Sequence, residues 1–136
     1  MLHTYSQDIL DLFKSALKGD KKAFNALMTT EKCPELAAFS NAIKGDEHAG
    51  MWLKARGSKD LQLICRALND DKLALKLLKL DENKFSVSFV LACQNRVEGK
   101  YWLSKNDYSH FLPICETIAE TMKTKDWEQV LYRIFG

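Results

Sequence analysis

The chain has 136 residues, 46% hydrophobic and 28% charged, the make-up of one globular domain that buries about two-thirds of its surface on folding. Its 20 basic side chains face 18 acidic ones, a net charge of +2, too even for a protein that holds nucleic acid by neutralising phosphates. No apolar run approaches the roughly 18 residues of a membrane span, and no basic segment leads into an apolar one as in a secretory signal.

Leu10, Phe13, Ala16 and Leu17 share one side of a helix with 3.6 residues per turn. Gly19 suits the left-handed residue that closes a helix, and Asp20 the N-cap of the next. Ala23, Ala26 and Leu27 mark the inner face of that second helix. The pattern then returns. Leu36, Phe39, Ala42, Ile43, Gly45, Asp46, Ala49, Trp52 and Leu53 repeat it 26 residues on. Leu61, Ile64, Ala67, Leu68, Asp70, Asp71, Ala74, Leu77 and Leu78 follow after a further 25, and Ser86, Phe89, Ala92, Cys93, Asn95, Arg96, Gly99, Trp102 and Leu103 after 25 more. Phe85 to Cys93 taken alone alternates like a strand, but the register predicts a helix there.

Between these units Pro34 fits a first helical position, and Ser58 and Asp81 offer N-caps. A fifth unit is partly visible by Pro113, where Leu112, Cys115, Ile118 and Ala119 continue the first-helix pattern. Its second helix, capped by Asp126, falls out of register, as terminal units often do. The expectation is all-α: a short α-solenoid of four to five stacked helix-turn-helix repeats in a single domain, with units at about 8–28, 34–54, 59–79, 83–103 and 109–136.

The small residue ending each first helix, the glycine three later and the paired leucine ending the second helix resemble the helical part of ankyrin repeats, most closely in Ala42 to Leu53 and Leu91 to Leu103. The Thr-Pro-Leu-His opening of that family is absent, and the period is shorter by about eight residues, the size of its β-hairpin finger. Tetratricopeptide and other helical-hairpin repeats have longer periods still. The resemblance implies a protein-binding scaffold without catalysis.

The chemistry-bearing residues fit that expectation. Asp20, Asp46 and Asp71 read as caps rather than a carboxylate cluster. His3, His48 and His110 fall at unrelated positions, without zinc spacing, so no metal or cofactor is expected, and His48 should be exposed. His110 and Cys115 do not aim at each other. Trp52 and Trp102 read as packing. Cys65, Cys93 and Cys115 sit in apolar helical patterns, and all four cysteines read as reduced thiols of a cytoplasmic protein. Cys33, before Pro34, is either a solvent-facing cap or a thiol with a lowered pKa. The latter would serve the alternative class, an enzyme or small-ligand protein with a pocket between hairpins.

A partner protein should meet the first-helix face opposite the core. Asp11, Ala37, Gln62 and Val87, Ser15, Asn41, Arg66 and Leu91, and Lys18, Lys44, Asn69 and Gln94 occupy it, varying where core positions agree. Lys44, Arg66, Asn69 and Gln94 form a candidate polar stripe with Val87 and Leu91 as its apolar end, unless the fifth unit folds over those two. The partner expected is another protein, with no nucleic acid and no membrane, and the chain itself a monomer or weak homodimer.

Overall fold

The computed structural model describes the backbone of residues 2–56 and 58–135, and their side chains other than 125–130 and 135. It is all-helical, without a strand among the described residues. After a 3-10 turn at Leu2–Thr4 come α1 (Gln7–Leu17), α2 (Lys21–Met28), α3 (Pro34–Ile43), α4 (Glu47–Ala55), α5 (Lys59–Leu68), α6 (Lys72–Leu80), α7 (Lys84–Cys93) and α8 (Val97–Lys105). A second 3-10 turn, Ser109–Phe111, leads into α9 (Leu112–Phe135). Phe85 to Cys93 is helical, because its β-branched and aromatic residues find a helix-period core to fill.

Each antiparallel pair turns through the same backbone. Gly19, Gly45, Asp70 and Asn95 are left-handed, with φ of 95, 107, 64 and 62°. The next amide then donates five residues back, Asp20 to the Ser15 carbonyl at 3.1 Å, Asp46 to Asn41 at 3.0 Å, Asp71 to Arg66 at 3.1 Å and Arg96 to Leu91 at 2.8 Å, closing a Schellman motif. The carboxylates of Asp20, Asp46 and Asp71 each accept from the second and third amides of the following helix, at 2.9 to 3.3 Å. These aspartates satisfy helix ends.

The core follows the helix period. Leu10, Phe13, Ala16 and Leu17 are buried, as are their counterparts in α3, α5 and α7. Ala23, Ala49, Ala74 and Gly99 are buried on the second helices, and Leu27, Leu53, Leu78 and Leu103 completely so. Each such leucine contributes about 1.5–3 kcal/mol. Phe13 stacks on Phe39 with ring centroids 5.4 Å apart. Gly99 lets α8 approach α7 most closely: a Cβ there would lie 2.5 Å from the Ala92 nitrogen and against the Ser88 carbonyl.

The first helices pack in series, α1 on α3, α3 on α5 and α5 on α7, while α2, α4 and α6 each also touch the first helix of the next pair. The last helix, α9, packs on α7, α3 and α1. Its Phe111-led entry buries Ile114, Cys115, Thr117 and Ile118. The N-terminal segment crosses the opposite ends of the first helices: Leu2 is buried, the Tyr5 hydroxyl donates to Glu35, and the His3 ring lies 4.9 Å from Phe85.

Several expectations need correction. The fifth unit is no hairpin: α9 continues through the place of its expected turn, where Met122 to Asp126 supplies no glycine or asparagine to reverse the chain. The Asp126 side chain, the expected cap, lies outside the described residues. Asn83, not Asp81, caps α7, accepting from the Ser86 amide at 3.1 Å, and Asp81 instead ends α6. Ser58 occupies the N-cap of α5 without a side-chain bond. Ala37 is fully buried rather than outward, because a first helix has neighbours on several sides. Leu77, expected in the core, is 37% exposed.

Candidate interaction surface

Two of the six stripe residues hold neighbouring hairpins together. Lys44 ends α3, and its ammonium donates to the Ala16 carbonyl of α1 at 2.6 Å. Burial pushes its pKa down. Gln94, at the matching place after α7, donates to the Ala67 carbonyl of α5 at 3.3 Å. Asn69 turns back on its own helix, donating to the Cys65 carbonyl at 2.9 Å. Arg66 pairs with the cap of the next helix, Nη2 standing 2.8 Å from Asp71 Oδ2, and holds that carboxyl below its usual pKa.

Val87 and Leu91 stand apart from these four. Val87 lines a cleft of ≈530 Å³ between the end of α6, the start of α7 and Trp102 of α8. Leu91 is half-buried, with its Cβ beside Gly99. The residues that line that cleft and those that meet Gly99 belong to α6, α7, α8 and the turn after α6. What α9 meets on α7 is another face: Cys115 lies 3.9 Å from the Phe89 carbonyl, and Cys93 lines a cleft with Cys115, Glu116 and Ala119.

Cys33 is buried, and its thiol donates to the Glu31 carbonyl at 3.3 Å. Burial and the carboxylates of Glu35 and Glu31 push its pKa up, so it is neither a solvent-facing cap nor an activated thiol. The other three cysteines are likewise buried thiols, and burial together with Cys115 raises the Cys93 thiol well above the usual range. Among the described residues no three His, Cys, Asp or Glu side chains converge as metal ligands. His48 is exposed, and Trp52 and Trp102 pack half-buried against the core.

The surface that sequence reasoning missed lies on the second helices. On α6 Leu73 is 58% exposed and Leu80 70%, and on α8 Val97 is 76% and Tyr101 64% exposed. In α6 the inward face is complete with Ala74, Leu78 and half-buried Leu75, so Leu73, Leu77 and Leu80 form a second, outward stripe at i, i+4 and i+7. Lys72, Lys76 and Lys79 run beside it at the same spacing. The signal was legible in "KLALKLLKL", which holds more leucines than one buried face of a nine-residue helix can use.

No family model, curated protein or solved structure matches this chain.

Proposed function

We propose that the chain is a non-catalytic protein-interaction scaffold, a short α-solenoid of ankyrin-like helical hairpins without the β-hairpin finger. The observation that carries the reading is the outward leucine stripe of α6, with Val97 and Tyr101 on α8. Exposed apolar side chains gathered on a rigid frame mark a place where another surface docks. The frame supports it: repeated Schellman turns, aspartate caps and the Lys44 and Gln94 ties hold the hairpins in place, so little ordering entropy opposes binding. Its geometry favours the outer second helices over the first-helix stripe, where Lys44 and Gln94 are already engaged.

Affinity enrichment from a nuclease-treated lysate, read by mass spectrometry, tests this. Wild-type protein should retain a partner that the Leu73→Ser, Leu77→Ser, Leu80→Ser variant loses. Retention of nothing by wild type, or equal retention by both, would remove the reading.

A further inference from the structure

We infer that α6 and the cleft beside it dock an acidic amphipathic helix of a partner protein, whose one bulky apolar side chain enters between Val87 and Trp102. The inference rests on the scaffold reading and adds the chemistry of the partner.

Charge comes first. The exposed half of α6 consists of leucines and lysines only: Leu73, Leu77 and Leu80 beside Lys72, Lys76 and Lys79. The ion pairs found among the described residues are Arg66–Asp71 and Arg96–Glu98, and neither uses these lysines. Three ammonium groups on one short helix, without an acid of that helix beside them, repel one another and are complemented by an acidic surface. A helix of the partner lying along α6 would set its apolar residues on the leucines and its Asp or Glu residues on the lysines, with the same two-turn repeat.

The cleft decides between a protein and a lipid surface. It has a volume of ≈530 Å³, an apolar wall of Val87 and Trp102, and Lys79 and Lys84 at its edge. A recess of this kind takes one large side chain, and interface energy concentrates in such anchors. A bilayer surface would meet the ridge of α6 and leave the recess empty.

Fluorescence anisotropy with designed probes tests the inference. One labelled helical peptide carries leucines and a central tryptophan on one face and glutamates elsewhere. A second replaces every glutamate with lysine, and a third replaces the tryptophan with alanine. The glutamate peptide should bind at least about tenfold more tightly than the lysine peptide, with the difference shrinking in high salt. Loss of the tryptophan should weaken binding several-fold, and Val87→Trp, which fills the recess, should do the same on the protein side. Lys72→Glu, Lys76→Glu, Lys79→Glu should reverse the preference for charge. All these positions are exposed or half-buried, and circular dichroism with a thermal melt verifies that each variant stays folded.

Equal binding of the acidic and basic peptides overturns the inference, as does no binding of the acidic peptide at concentrations up to about 1 mM. Binding to vesicles containing anionic lipid in place of the peptide overturns it as well. Its failure is separable from failure of the scaffold reading. A lysate partner lost in the triple serine variant but kept by the triple glutamate variant leaves the scaffold and removes the acidic helix.

Discussion

The ammonium of Lys44 reaches the carbonyl oxygen of Ala16, 2.6 Å away and 28 residues distant in the chain. Gln94 repeats the relationship with Ala67. Each target carbonyl lies in the last turn of its helix and already accepts an amide, from Gly19 at 3.0 Å or Asp70 at 3.1 Å. Neither would be left unpaired by losing the side chain. Lys44→Ala should therefore cost only about 1 kcal/mol, the worth of one such bond and its favourable place at a helix C-terminus. Lys44→Gln should restore much of the loss, since a glutamine does this work after α7. Urea denaturation of the two variants checks both.

Gly99 and Gly50 are both helical, yet alanine should act oppositely at each. A Cβ at position 50 meets nothing within 4 Å, so Gly50→Ala should stabilise by about 0.5–1 kcal/mol through the unfolded chain. A Cβ at position 99 runs into the backbone of α7. Gly99→Ala should destabilise by about 1–3 kcal/mol as α8 is forced outward. Thermal melts of the pair should move in opposite directions.

The turn after α5 uses Asp70 at φ 64° where the first two pairs use glycine. A left-handed residue with a Cβ is strained by about 1–2 kcal/mol, part of which glycine returns as unfolded-state entropy. Asp70→Gly should stabilise by roughly 0.5–1 kcal/mol. At the neighbouring kind of position, Asp46→Ala should cost about 1 kcal/mol by removing a cap, while Asp46→Asn should be close to neutral. Chemical denaturation reads out all three.

His3 packs between Phe85 and Tyr108, its Nδ1 buried without a hydrogen-bond partner. Burial lowers its pKa below 6.5, against a weaker pull upward from Asp60. The unfolded chain therefore takes up a proton at a higher pH than the folded one. Stability contributed by the neutral ring is full above pH 6.5 and declines as pH falls through and below that value. His3→Phe should flatten this part of the stability profile between about pH 7.5 and 5, as measured by urea denaturation at each pH.

What was legible in the sequence was periodic. Leu10, Phe13, Ala16 and Leu17, with their counterparts, fixed which faces are buried because a helix must hide one side, and the same spacing marked the aspartates as caps. Less legible was everything that depends on a residue having two neighbours. Ala37 reads as outward on its own helix, yet the next elements cover it. Lys44 and Gln94 read as free polar ends, but their reach across a hairpin boundary is a matter of distance, not of pattern. Nor did Leu2, His3 and Tyr5 belong to any repeat, so their crossing of the helix ends left no periodic trace. Leu73, Leu77 and Leu80 were visible and misassigned in part, since Leu77 matched a core position in register while facing out.

The packing of α9 on α1 as well as α7 has a consequence for how this chain can change. In a row of hairpins open at both ends, units can be gained or lost, and the ends fray separately. Here the first long helix and the last are neighbours, so the number of hairpins sets whether they meet. Inserting or deleting one pair would separate two elements roughly a hundred positions apart in sequence, a contact that also slows the search for the native state. Because α1 and α9 hold each other, the two helices should open together.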